Sequence, residues 1–385
     1  MQDRVVPLSV PSLTGNERKY VNECLETNFV SSVGPFVERF EREFASYVGA
    51  RFAVACASGT AALHLALRCL GIGPGDEVMV PDFTFIASAN PIVYQGARPI
   101  FVDSELQSWN LDPGLVIEEI RRRKAAGKRL PRAVMVVHVL GHPADMEAII
   151  DCCQEHGIAV VEDATEALGA TYRGGRFAGR HVGTIGRLGC FSFNGNKIIT
   201  TGGGGMLVTE DESLARRARH LSTQAKLAGL EYDHDQVGYN YRLTNIAAAI
   251  GVAQLEQLPR FLEAKRAIAA KYRQSLESLP GVTAAPQCAW AFPSMWLYSV
   301  LIDPDSFGMT SRDVCVHLQG EGLQCRPLWR PLSSMAPYRR ARRIGGAAAR
   351  FLFQRGLSLP CSVSLSEQQQ QRVIAAIQRL SEGKA

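Results

Sequence analysis

Short β-branched runs alternate with amphipathic stretches through the first two-thirds of the chain, and no other feature limits its possible folds so strongly. The runs are Phe52 to Cys56, Glu77 to Val80, Pro99 to Val102, Ala133 to Val139 and Ile158 to Val161, with helical patterns between them near 61–70, 86–95, 115–126 and 146–156. Strand, helix and strand in succession predict parallel pairing, because the crossover needs a helix's length to return to the same edge. The expectation is an α/β fold whose mostly parallel central sheet is covered by helices on both faces. Such a sheet binds ligands in the crevice at the carboxyl ends of its strands.

Two further runs, Leu188 to Phe193 and Gly205 to Thr209, have no helix between them, so the residues joining them sit on a loop between neighbouring strands. From Asn245 a helical stretch runs to about Leu279, interrupted or kinked near Pro259. Strand-like Trp296 to Ile302 and helical patterns near 311–320 and 365–381 follow. A large domain over 1–255 and a small C-terminal α+β domain over 256–385 are therefore expected. With 385 residues, 46% of them hydrophobic, the chain can bury a core of that size.

A formal charge of +5 suits anionic small ligands, but the basic residues are scattered and no block tracks a polyanion. Arg121-Arg122-Arg123-Lys124 reads as the exposed face of a helix, so no nucleic-acid partner is expected. The ten cysteines lie in apolar segments without the paired spacing of metal ligands, and they read as reduced thiols with no metal. The stretch Met1 to Pro7 lacks the apolar core of a leader, and nothing approaches the roughly 20 apolar residues of a membrane span. A cytoplasmic location without membrane contact is the expectation.

The chemistry gathers around Lys197, in Phe191-Ser192-Phe193-Asn194-Gly195-Asn196-Lys197, followed by Thr200-Thr201-Gly202-Gly203-Gly204-Gly205. Asp163 stands 34 residues earlier, in Val160-Val161-Glu162-Asp163. The pair reads as the two ends of a pyridoxal phosphate site. A lysine amine holds the aldehyde as a Schiff base, while a carboxylate facing the pyridine nitrogen keeps the ring protonated and able to accept a carbanion's electrons. Partial burial would lower the lysine's pKa and favour the attacking amine.

Each of these residues also has a plainer reading. Lys197 fits an exposed hairpin, and Asp163 fits a cap on a helix over Ala164 to Leu168, with Glu166 on its solvated face or turned to the same cleft. Ser58-Gly59-Thr60, ahead of the run Ala61 to Leu70, offers free N–H groups as a phosphate seat or simply a capped helix. Phe85, after a strand end, fits a stacking ring or ordinary core. Asn240, between two tyrosines ahead of the long helix, fits a ligand contact or a cap. Arg326-Pro327-Leu328-Trp329 lines a substrate pocket or forms a strand of the small domain. Gly202 to Gly205 lacks the order of a nucleotide-triphosphate loop, and no Gly-x-Gly-x-x-Gly turn follows the first strand, which disfavours a nicotinamide-dependent reductase.

Ser58-Gly59-Thr60-Ala61-Ala62-Leu63-His64, Gly73-Pro74-Gly75-Asp76-Glu77-Val78, Glu162-Asp163-Ala164, Phe191-Ser192-Phe193, Lys197 through Gly205 and Gly238 through Arg242 occur in this order. With these motifs the chain resembles the DegT/StrS family of nucleotide-sugar aminotransferases, pyridoxal phosphate enzymes of fold type I. The resemblance covers the large domain and only loosely the last hundred residues. It implies that Lys197 forms the Schiff base, Asp163 faces the pyridine nitrogen and Phe85 stacks on the ring. Ser58, Gly59, Thr60 and Ser192 would hold the phosphate. Glu166, where many members have Gln, would lie near the ring's phenolic oxygen, and Asn240 would reach the phosphate of a neighbouring subunit's cofactor in a homodimer with shared active sites.

Some members carry His in place of the lysine and dehydrate their substrate, so a retained Lys197 implies transamination with L-glutamate as donor. A non-catalytic protein of this fold would be expected to lose Lys197 or Asp163, and neither is lost. Stretches 194–196, 202–205 and 222–226 are similar to those of members that aminate C4 of UDP-4-keto-6-deoxy-N-acetylglucosamine for surface polysaccharide, lipopolysaccharide or glycan. Members making GDP-perosamine from GDP-4-keto-6-deoxymannose come next. Ser32, Arg326 and Trp329 are the candidates on the sugar side.

Overall fold

The structure, a computed structural model, describes residues 5–383. Met1 to Arg4, part of the stretch read against a leader, lie outside the described residues. Seven strands build most of the main sheet: β1 (Phe52–Cys56), β2 (Glu77–Pro81), β3 (Arg98–Val102), β4 (Ala133–Val137), β5 (Ala159–Asp163), β6 (Leu188–Ser192) and β7 (Gly205–Thr209). They lie in the order β1-β7-β6-β5-β4-β2-β3, and Arg342–Ile344 adds an eighth strand beside β3. Only β7 runs against its neighbours; every other pairing is parallel. The middle strands are buried except at single end residues, β4 along its whole length and on both faces, so they read as continuous apolar runs instead of alternating ones.

This order brings the functional segments to one edge. The carboxyl ends of β1 and β6 flank the start of β7, where Gly205 opposes both Cys56 and Ser192. Asp163 closes β5, paired with Cys190 of β6. The segments after β1, β5 and β6 therefore open into one crevice, with the β6–β7 loop above it.

The elements follow the expected rhythm with some departures. The helical pattern at 86–95 divides into a tight turn at Ile86–Ser88 and a short helix Asn90–Tyr94, since Pro91 has no N–H to donate back to the turn before it. The strand expected to reach Val139 stops at Val137, and Leu140 just beyond adopts φ +55°. No helix forms over 164–168, where the chain makes turns instead. Strand pairing starts at Ser299 and not at Trp296, after Met295 at φ +57°.

Helix Asn245–Leu276 runs for 32 residues with Pro259 inside it, so of the two expected effects of the proline the interruption is absent, and the boundary placed at 255 falls within one helix. Its face of Ala248, Ala249, Val252, Leu262, Ile268 and Tyr272 is buried, and that packing holds the helix together across the N–H that proline lacks. A four-stranded antiparallel sheet follows in the order Arg326–Pro327, Gly356–Ser358, Ser299–Ile302, Val282–Ala284. The two parts interleave. Arg342–Ile344 returns to the main sheet, and the N-terminal segment joins the small part, with Val6 bridging Leu323 and the Cys361 N–H donating to the Leu8 carbonyl over 2.8 Å.

Candidate active site

A cavity of about 440 Å³ lies at the carboxyl ends of β1, β5 and β6 and is roofed by the small sheet; Ser58, Gly59, Thr60, Phe85, Glu166, Ser192, Lys197, Arg326 and Trp329 all line it. A hollow of similar volume, about 450 Å³, opens at the opposite strand ends beside Arg132 and Arg187. Neither a lysine nor a carboxylate lines that second hollow, and we assign the chemistry to the first.

The floor is an anion seat made by local sequence. Ser58 is extended and its Oγ accepts the Ala61 N–H at 3.0 Å, starting helix Gly59–Cys69. The N–H groups of the first helical turn have no carbonyl partner within the helix and point toward the crevice. A Cβ at Gly59 would come to 2.8 Å from Ser192 Cβ and 3.0 Å from Thr165 Cγ2, and one at Gly205 would meet the Ser58 carbonyl at 2.4 Å. Glycine at these positions lets three segments close around a small anion.

Asp163 lies just behind this floor, 1% exposed, where its Oδ2 accepts the Ser88 hydroxyl at 2.7 Å and its Oδ1 accepts the Thr165 N–H at 3.1 Å. Thr84 Oγ1 stands 3.1 Å from the Ser88 hydroxyl and extends the chain. Its neighbour Glu162 points to the other face, as strand alternation requires, and is consumed by His138 and the Gly183, Ile185 and Gly186 N–H groups.

Glu166 is buried and accepts the Leu140 N–H at 2.8 Å. Burial pushes its carboxyl up to about 7, against the opposing pull of the Lys197 ammonium and the Leu140 N–H. Lys197 is half-buried on the β6–β7 loop, which is braced by Thr201 N–H to the Phe193 carbonyl and by Thr200 N–H to Gln254 Oε1. Burial lowers its pKa, with Glu166 and Asp163 resisting the change. The Lys197 Nζ lies 3.8 Å from the centroid of the Trp296 ring.

On the opposite wall Phe85 is 54% exposed, so it belongs to the cavity and not to the core. Arg326 belongs to a strand of the small sheet and also lines the cavity, so its two readings coincide; Trp329 packs its ring 5.6 Å from that of Phe83. Ser32 and Asn240 are not among the residues lining the cavity. Ser32 sits in the loop ahead of helix Pro35–Val48, and Asn240 is exposed on a segment bridged to Thr223. Neither residue therefore has a direct place on this cavity's wall. Trp296, Thr165 and Ser88 were missed. Trp296 was absorbed into a strand pattern and Ser88 into a helical one, and neither carried a signal of its own.

The residues present fit pyridoxal phosphate: an amine on a braced loop, a buried carboxylate with both oxygens held, an exposed aromatic ring and a glycine-lined seat for an anion surround one cavity. This arrangement defines a pyridoxal-dependent enzyme on an α/β scaffold. The family model for DegT/DnrJ/EryC1/StrS aminotransferases matches residues 11–378, and the chain belongs to that family. It is 41% identical over 377 residues to EpsN of Bacillus subtilis (strain 168), covering 97% of this chain and 95% of that protein. It is also 41% identical over 376 residues to the GDP-perosamine synthase of Caulobacter vibrioides, covering 97% and 98%. Among solved structures, DesI in the presence of its TDP-sugar product superposes with a TM-score of 0.89 at 28% identity, covering 99% and 94%. The protein is thus a pyridoxal phosphate-dependent sugar aminotransferase of this family. Among the described residues no helix is long and apolar enough to cross a membrane.

Proposed function

We propose that the protein moves an amino group from L-glutamate to the C4 keto group of a nucleotide-linked 4-keto-6-deoxy sugar. The observation that carries this reading is the meeting of Lys197 and the Ser58–Thr60 turn at one cavity, with Asp163 held just behind its floor by the lining residue Thr165 and an open wall at Arg326 and Trp329. Pyridoxal phosphate, when bound, supplies an aldehyde that carries amino groups and a ring that takes up electrons as a substrate proton leaves. The chain supplies the rest. Asp163, fixed by Ser88 and Thr165, sets a negative charge behind the ring nitrogen's position. Gly59, Thr60 and Ser192 hold the phosphate, and Phe85 offers its face to the ring. Lys197 Nζ, once free, takes the proton from the amino donor's α-carbon and delivers it to the cofactor's side, then reverses this with the sugar.

Of the two sugars considered, we place GDP-4-keto-6-deoxymannose ahead of UDP-4-keto-6-deoxy-N-acetylglucosamine, the reverse of the order given by the loop motifs. Support comes from three relatives named GDP-perosamine synthase, at 41%, 41% and 38% identity over nearly the whole chain. Assembly as a homodimer belongs to the same reading. Its support is the segment around Asn240, where Leu230, Tyr232 and Val237 are 95%, 83% and 76% exposed, apolar side chains that a second copy would cover.

The deciding experiment incubates the purified protein with cofactor, L-glutamate and each keto-sugar nucleotide and reads the product by mass. Amination of the GDP sugar at least tenfold faster than the UDP sugar is expected. A preference for the UDP sugar would overturn the order, and no amination of either would overturn the substrate class.

A further inference from the structure

The geometry points to Trp296 as a positioning residue for Lys197: its indole face holds the lysine ammonium, and its ring N–H holds the loop that carries the lysine. This rests on Lys197 being the reacting amine. Trp296 is 4% exposed and lines the cavity. Its Nε1–H donates to the Asn196 carbonyl over 2.7 Å, one residue before the lysine, and the Ser9 hydroxyl donates to the same carbonyl over 3.1 Å. Its face lies 3.8 Å from Lys197 Nζ. One side chain thus fixes both the backbone beside the lysine and the amine at its tip.

The tryptophan is itself clamped. Lys265, buried in the long helix, donates to the Trp296 carbonyl over 2.8 Å and to the Cys361 carbonyl over 2.6 Å, with Cys361 Sγ at 3.6 Å. An ammonium in the interior is costly unless its donors are satisfied, and here two carbonyls satisfy them while drawing residues 296 and 361 to the same rod. Met295, at φ +57°, turns the chain just before the indole. The indole is therefore set at a fixed height over the β6–β7 loop.

An indole face attracts a cation most strongly where water is excluded. Burial lowers the lysine's pKa, and Asp163 at the end of β5 and Glu166 in the turn after it oppose this. Arg326 stands across the cavity and Lys265 lies beyond the Trp296 backbone. The ring adds a neutral attraction for the ammonium that leaves the carboxylates free for the cofactor.

The test uses the full-length chain stripped of cofactor. Acetic anhydride labels only neutral amines, so labelling of the Lys197 peptide across pH, read by mass spectrometry with exposed Lys128 as internal reference, reports the lysine's midpoint. Losing the ring removes stabilisation of the charged form, so the midpoint falls: by about one pH unit in Trp296→Leu and by less in Trp296→Phe, which keeps a weaker face. A midpoint that stays or rises in a Trp296→Leu protein with unchanged circular dichroism would overturn the assignment. If the leucine variant does not fold, Trp296→Phe decides, and no downward shift in it is equally fatal. Borohydride trapping of pyridoxal phosphate on the unsubstituted chain checks the underlying reading separately. An adduct away from Lys197 would break that reading while leaving the contact measurable.

Discussion

Two regions carry the residues assigned to the cofactor, and they are built in opposite ways. The crevice at the ends of β1, β5 and β6 is buried, and its members hold one another: Asp163 has Ser88 and Thr165, Glu166 has the Leu140 N–H, and the Lys197 loop has Gln254 and Trp296. The segment 223–241 is exposed, and Asn240 rides on it beside apolar side chains left in water. Sheet register completes the first within a single chain. The second is a surface whose use depends on what covers it.

Changes in the first region should therefore act at any protein concentration and strike the chemistry directly. The largest effect is expected for Lys197→Ala, which removes the amine while leaving the loop's bracing, made by Thr200, Thr201 and Gln254, untouched. Amino transfer should fall by about 10³-fold or more, the scale of a lost positioned acid–base group, with the melting temperature unchanged. Turnover within tenfold of the original would remove Lys197 from its role. Gly59→Ala sharpens the same claim at the floor. The new Cβ would lie 2.8 Å from Ser192 Cβ, so one of the two segments must move and the anion seat widens. We expect cofactor affinity to drop by about tenfold and stability by about 1–3 kcal/mol, measured by fluorescence titration and thermal melting.

The same division explains what was legible in the sequence. Strands β1 to β7 were visible because a doubly covered parallel sheet writes itself as short apolar runs, and Lys197 and Asp163 stood out because a lysine among glycines and an acid closing an apolar run break that pattern. Pro259 misled only as a sign of a break, since a proline is a local signal while the packing of Val252, Leu262 and Ile268 that carries the helix past it is tertiary. The return of Arg342–Ile344 to the main sheet was invisible for a similar reason: three residues carry too little periodicity to announce a pairing some 240 positions away. Trp296 and Ser88 act through partners distant in sequence, and such partnerships leave no local trace.

The exposed region makes the comparison breakable. If Asn240 serves a neighbouring subunit's phosphate, Asn240→Ala should weaken cofactor retention by about tenfold, the lower end of the worth of one hydrogen bond to a charged group, and leave the melting temperature within a degree. The signature is concentration dependence: retention by the unsubstituted protein should fall on dilution as the copies separate, and the variant's deficit should shrink with it. Cofactor release measured across a hundredfold range of protein would show this. A deficit of constant size would place Asn240 in its own chain's site and erase the contrast between the two regions.

Glu166 offers the smallest and most discriminating effect, because it separates what burial does from what chemistry requires. Its carboxyl is held near 7, above the ordinary 4.5, chiefly by burial. Between those values the folded chain binds a proton that the unfolded chain does not, so this residue's contribution to stability declines as pH rises through that window. Glu166→Gln keeps an oxygen for the Leu140 N–H and never ionises. The variant should melt with the original at pH 4 and above it at pH 8, while its best rate of amino transfer stays within about threefold, since acceptance of that N–H and not the charge is what the position preserves. The amide also withdraws a negative charge from Lys197, so the acid limb of the rate profile should move to lower pH. Coincident melting curves across pH 4 to 8 would show that Glu166 is solvated in the working protein, and the crevice would lose its claim to be the dry half of the pair.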